Sequence, residues 1–237
     1  MRKLLILFTV FSVISCTKKE IKIPVLAEKG ISDTIFNHSE VWMFFEVENN
    51  DTIAHLNRNN AITSTHWIFN IDKRLPLKTF INKLNTLKYK HANSIHSKEG
   101  MHNYFSYSDT ISKKLSFIKL DSVNYVTDTI LSKYYIKKHG DNYVNYNNIN
   151  LTFSNHTILL NDSEIERQNF KQTLLDFIDF SSEGKTTLLH LNFENTLTYQ
   201  NYMYFRTLLK NIESSSIIIN PKEFIFDKTK VPDCGCN

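Results

Sequence analysis

The stretch TTLLHLNFENTLTYQNYMYFRTLLKNI, residues 186–212, carries two periodicities in succession. Its first part, TTLLHLNF, is a nearly unbroken apolar run of strand length, the pattern of a strand buried on both faces. After Glu194 the spacing changes. Tyr199, Tyr202, Met203, Arg206 and Leu209 recur at intervals of three and four, one face of an amphipathic helix. Only the arginine interrupts that stripe. SIIIN and EFIF downstream have strand character and close the unit.

Upstream, INLTF and TILLN read as strands around Ser154-Asn155-His156, a hairpin signal. DSEIERQNFKQTLLDFIDF follows, with Ser163 and Glu166 at the spacing of a capping box and Ile165, Phe170, Leu174, Phe177 and Ile178 as its buried stripe. Gly184 breaks the chain before the next strand. The predicted order over 149–227 is β-β-α-β-α-β, an α+β sandwich with helices on one sheet face.

Residues 40–126 predict a related but less regular α+β layer. EVWMFFEVENNDTIAHL is a strand, an Asn-Asn-Asp turn and a second strand, and THWIFNID is a third. LPLKTFINKLNTLKYK places Leu77, Phe80, Ile81, Leu84 and Leu87 on one helical face. Pro76 falls at its first turn, where a missing N–H does no harm. LSFIKL and VNYV are short strands. Residues 127–148, rich in Tyr, Lys and Asn, form a link with one short helix ending at Gly140. A shift of 122 residues sets 65–88 over 187–210, matching Thr65, Asn70, Leu75, Leu87 and Lys88 to Thr187, Asn192, Leu197, Leu209 and Lys210. Asp72 then faces Glu194 and Phe80 faces Tyr202. Two readings stay open, a diverged repeat or two generic strand–helix units.

At the other end, Arg2 and Lys3 precede an apolar run from Leu4 to Ile14. That run is about half the roughly 20 residues a spanning helix needs, and has the length and flanks of a secretory leader over residues 1–15. Val13-Ile14-Ser15-Cys16 resembles the bacterial lipobox, whose cysteine becomes the acylated first residue of the mature chain. The resemblance implies lipidation at Cys16, with residues 16–39 as a polar tether. Two or more acyl chains suffice for anchoring at about 0.8 kcal/mol per buried CH₂. Thr17 is not the aspartate that retains many lipoproteins in the inner membrane, which points to the outer membrane of a bacterial envelope.

The order and punctuation of 150–226 resemble the periplasmic domain of the ExbD/TolR family. ILLND entering a helix, TTLLHLNFENTLTYQNYMYF, and SSSIIINPKEFIF carry the likeness. It implies two ExbD/TolR-like layers and a role in binding envelope proteins or peptidoglycan, with a homodimer among the arrangements it suggests. The chain departs from the family where the motor lies. The family's spanning helix with a titratable aspartate has no counterpart in this sequence, and such a carboxylate is what senses a proton gradient.

Candidate chemistry is sparse. The loop HANSIHSKEGMH holds His91, His96 and His102; zinc takes three imidazoles, but spacings of five and six fit no common ligand pattern. Cys234 and Cys236 in the tail 228–237 form a candidate disulfide in an oxidising compartment, with metal binding or thiol exchange as the other reading. Asp72 and Glu194 follow matching strands, and nothing in the sequence places them together. Five Asp-Ser/Thr-apolar triplets, beginning at Asp33, Asp51, Asp109, Asp121 and Asp128, resemble an envelope O-glycosylation sequon and equally suit turns that open strands.

No nucleophile elbow, HExxH or Gly-rich phosphate loop is present, and there are only five glycines. The net charge of +4, from 28 basic and 24 acidic residues, is scattered and excludes a nucleic-acid stripe. The expected function is that of a lipid-anchored envelope binding or scaffolding protein, non-enzymatic and without a cofactor. The alternative is an envelope hydrolase or a metal-binding surface lipoprotein.

Overall fold

A computed structural model describes residues 20–127 and 131–231. It is an α+β protein with two mixed sheets and four α-helices among these residues. The second sheet is built around β11 (Thr187–Glu194), whose residues are buried from Thr187 to Phe193. It lies parallel to β8 (Asn147–Phe153) on one side and β12 (Ile217–Phe226) on the other. Helix α3 (Phe170–Ser181) precedes β11, and α4 (Tyr199–Lys210) makes the crossover to β12. Thr198 caps α4, its Oγ1 accepting the Asn201 N–H, which satisfies one of the helix's orphan donors.

The capping box expected at Ser163 does not form. Asn161 and Asp162 both take positive φ, 45° and 70°, the pair of left-handed residues that a tight hairpin turn requires. The turn sends Ser163–Ile165 (β10) back along β9 (Ile158–Leu160), which is itself antiparallel to β8. The segment is consumed by pairing, and α3 starts only at Phe170.

In the first sheet, β2 (His38–Glu48) and β3 (Asp51–Asn57) form the expected hairpin. Its turn, Asn49-Asn50, again has positive φ at both residues. β4 (His66–Ile71) runs parallel to β2 and leads into α1 (Leu77–Asn93), with Pro76 just before its first turn. The crossover returns in β5 (Asn103–Asp109), parallel to β4 and antiparallel to β6 (Lys114–Lys119). Sequence periodicity does not reveal β5, because Asn103, Ser106 and Asp109 are polar and yet buried. They are buried because they are paired. Ser106 Oγ donates to Asn70 Oδ1 at 2.7 Å, and Asp109 accepts the Ile111 N–H and the Ser112 hydroxyl.

Two segments read as connections belong to the fold. Most of the expected tether is docked from Lys22 onward. β1 (Val25–Leu26) pairs with β5, and Gln200 on α4 clamps the Val25 backbone through both its N–H and its C=O. Gly30 passes so close to β5 and β6 that a Cβ there would lie 2.1 Å from Tyr107 Oη and 2.8 Å from the Phe117 carbonyl oxygen. The expected 127–148 link is likewise structural. β7 (Asn124–Thr127), a strand expected in the first layer, is instead an edge strand of the second sheet, parallel to β12. Helix α2 (Ser132–Lys138) covers that sheet, with Ser132 bonded to Asn150 and Asn192, and Tyr135 against Phe224.

The two sheets share one hydrophobic cluster, joined along a seam at the starts of α1 and α4. Leu77 N–H donates to Leu197 O at 2.9 Å, and Tyr199 N–H to Leu75 O at 2.8 Å. Lys78 N–H donates to Asn195 O, and Gln200 N–H to Lys73 O. Replacing each residue by its equivalent 122 positions away in the other unit turns one bond of each pair into the other, and Pro76 bridges Thr198 at the centre. The offset that aligns the sequences therefore also relates the seam's hydrogen bonds as a local two-fold. Phe80 meets Tyr199 edge-on at 5.5 Å across it.

Two substitutions test this packing. The Tyr199 hydroxyl is buried with no hydrogen-bond partner, so Tyr199→Phe should stabilise the fold by about 1 kcal/mol, read as a raised urea midpoint. Gly30→Ala should destabilise by about 1–3 kcal/mol through overpacking; an unchanged midpoint would mean that the docking of the N-terminal segment is wrong.

Candidate functional site

A cleft of about 900 Å³ is bounded by the C-terminal half of α1, the loop 94–102 and residues 121–125. Polar side chains in its lining include Lys88, His91, His102, Asn103, Asp121 and Tyr125. The histidine-rich loop thus borders the cleft, but the three histidines are not equivalent. His91 is buried, stacked on Trp67 at 4.3 Å, with Nδ1 2.9 Å from Asn103 Oδ1 and Nε2 2.8 Å from Thr65 O. Both nitrogens are committed to the fold. His96 is exposed and is not part of the lining. His102 Nδ1 lies 2.7 Å from Asp121 Oδ2, while Asp121 Oδ1 accepts the Asn103 N–H.

The His102 backbone N–H donates to His66 Nδ1, and the two rings stack at 5.6 Å. Burial, and next the neighbouring His102, lower the His66 pKa. Among the described residues no group of three or more His, Cys, Asp or Glu is arranged to hold a metal ion.

Beneath one wall of the cleft lies a buried polar network. Lys88 Nζ donates to the carbonyls of Leu120 and Val123 at 2.7 and 2.6 Å. Tyr125 Oη is 3.1 Å from Tyr202 Oη, and the Tyr202 hydroxyl donates to Glu223 Oε2 at 2.8 Å. Arg206 Nε sits 3.0 Å from Glu223 Oε1, a close ion pair in which the N–H is not aimed along the contact. Desolvation holds the Glu223 carboxyl above its ordinary value against the opposing pull of Arg206. It also pushes the Lys88 ammonium down to about 8 and the Tyr125 and Tyr202 phenols well up.

The elements around the network explain its place. α1 contributes Lys88 where the α4 equivalent, Lys210, is exposed; α4 contributes Arg206 where α1 has Leu84. The signal in the sequence was the arginine that interrupts the α4 stripe. Glu223 and Lys88 gave none, because a charge in a strand or on a helix flank usually faces water.

The remaining candidates fall apart in space or outside the described residues. Asp72 is buried and chelated by Arg74 at 2.8 and 2.7 Å, with further bonds from the Lys22 and Arg74 N–H groups. Burial alone would raise its pKa, but these donors outweigh it and the net direction is down. Glu194 instead accepts the Thr196 hydroxyl at 2.6 Å, so each carboxylate serves its own strand end, and no contact joins them. Of the triplet aspartates, Asp109 and Asp121 anchor turns. Cys16, Cys234, Cys236 and the Asp128 triplet lie outside the described residues.

No described helix is long and apolar enough to cross a membrane. No protein-family model matches the sequence, and no curated protein or solved structure is significantly similar to it.

The network makes a prediction about pH. The folded Lys88 value, about 8, lies below the usual 10.5, so between these the unfolded chain holds a proton that the folded chain has released. Stability should therefore gain a rising contribution with pH across that window. Subtracting the stability profile of Lys88→Met from that of the native chain, by urea titration from pH 7 to 10.5, should expose this slope. A flat difference would show that Lys88 is not desolvated.

Proposed function

We propose that the protein is a lipid-anchored binding or scaffolding component of a bacterial envelope. Its second unit would be a counterpart of the ExbD/TolR periplasmic domain, without a proton-coupling helix of its own. The observation that carries this reading is the chain order β8-β9-β10-α3-β11-α4-β12 across 147–226, the expected order with one short extra strand, with β11 parallel to both its neighbours. It joins the leader ending in Val-Ile-Ser-Cys. In the same reading the first unit is a second, less regular ExbD/TolR-like layer, and the local two-fold at the seam is the internal form of a domain pair.

The cleft suits binding better than turnover. Its histidines are held by Asp121, Asn103 and a backbone carbonyl, and the Ser97 hydroxyl in the lining donates to the His91 backbone carbonyl and not to a ring nitrogen. The expected partners are envelope proteins or peptidoglycan, reached from the outer membrane through acyl chains at Cys16. Any response to the proton gradient would then come through a partner that spans the membrane.

Two measurements test the proposal. Mass spectrometry of the membrane-extracted protein should find an acylated N-terminus at Cys16, and Cys16→Ser should shift the protein to the soluble fraction. A mature terminus elsewhere, or an unshifted variant, would overturn the anchor. Crosslinking in intact cells should recover envelope motor proteins or peptidoglycan; consistent recovery of neither would overturn the scaffolding role.

A further inference from the structure

The loop 94–102 walls the cleft from Ser97 to His102 and is fastened near both of its ends. At the start, the Ser97 hydroxyl donates to the His91 carbonyl. At the far end, the His102 backbone N–H donates to His66 Nδ1 at 3.0 Å. A backbone amide can only donate, so the His66 ring accepts at Nδ1 and is neutral, with its proton on Nε2. A second proton, at Nδ1, would set two N–H groups against each other and remove the bond. The surroundings of the ring favour its neutral form. His102 stacks on it at 5.6 Å and Tyr104 meets it edge-on at 5.5 Å, while His38 is its register partner on β2. Burial first, and then His102, lower the His66 pKa from its ordinary 6.5; His91 and His38 act in the same direction, and Asp121, held on the His102 ring, acts against them.

We propose that His66 is a pH-sensitive latch on this loop: acidification breaks its bond to the His102 N–H and lets residues 98–101 swing away from the cleft. The contacts that remain keep the release local. The His102 carbonyl still accepts the Trp67 N–H at 2.9 Å, and its ring stays 2.7 Å from Asp121, so β5 keeps its register. Gly100, at φ +81° and with nothing within 4 Å of the place a Cβ would take, is a pivot clear of neighbours. Lys98, Glu99, Gly100 and Met101 all line the cleft, so their movement reshapes its wall. Because the latched ring titrates below the released one, the latch is whole above the released value, about 6.5, and weakens as pH falls toward the latched value. Inside that window the ratio of released to latched loop rises about tenfold per pH unit. The inference rests on the loop and the cleft, and its failure would leave the envelope reading untouched.

The test follows the mature chain, made without acyl groups, by solution NMR from about pH 7.5 to 4.5, the range in which histidines change charge. The His66 ring should titrate below 6.5, and the heteronuclear NOE of the 98–101 amides should fall with the same midpoint, a loss of order that a change of charge alone would not produce. His66→Asn keeps an uncharged acceptor near the position of Nδ1 and should make the order of the loop independent of pH. His102→Gln leaves the backbone donor in place and removes the neighbouring ring, so it should move the shared midpoint up toward 6.5; it carries the decision where His66→Asn does not fold. Loop amides that stay ordered while His66 titrates, a loop transition that persists in His66→Asn, or a midpoint unmoved by His102→Gln would each overturn the proposal.

Discussion

Four backbone hydrogen bonds between the turns at 73–78 and 195–200 hold this molecule together as one body. Each turn is the point where a strand buried at the centre of its sheet becomes a helix. Such a turn leaves carbonyls at the strand end and N–H groups at the helix start without intrinsic partners. Each unit satisfies the other. The helices then enter the shared core with Phe80, Tyr199 and Tyr202 in contact or near contact, so that neither sheet can separate without exposing unpaired backbone and aromatic surface together.

Around that nearly symmetric seam the two units differ. In the second, α3 and α2 cover the sheet, and buried His190 is locked between Asn148 and Asn220, with desolvation lowering its pKa to about 4. In the first, no helix intervenes between β3 and β4, and the N-terminal segment pairs with β5 in place of a full strand. The loop 94–102 also belongs to the first unit, and the cleft lies between it, α1 and the start of β7. Its helix reaches across to the second sheet, where Asn85 Nδ2 donates to Tyr125 O on β7. The cleft thus lies where the symmetry fails.

The buried charges follow the same logic. Two buried cations and one carboxylate in the interior are expensive, and hydrophobic replacements would serve stability as well or better. These charges sit at the junction of α1, α4, β7 and β12, with Lys88 and Tyr125 also lining the cleft.

Local pattern alone was enough for several elements. The apolar run of β11, the spacing in α1 and α4, and the Asn-Asn turn between β2 and β3 each express a backbone preference that neighbours in sequence decide. The arginine in the α4 stripe was visible in the same way, as an exception to a period. β5, β10, the docked N-terminal segment and the Lys88–Arg206–Glu223 network were decided by tertiary structure. Ser106 and Tyr125 are buried with partners 36 and 77 positions away, Asn70 and Tyr202, while β10 and the N-terminal segment are placed by pairing with β9 and by Gln200, 175 positions from Val25. A periodic apolar stripe states its own burial, whereas a polar side chain takes its place from a partner that folding alone brings within reach.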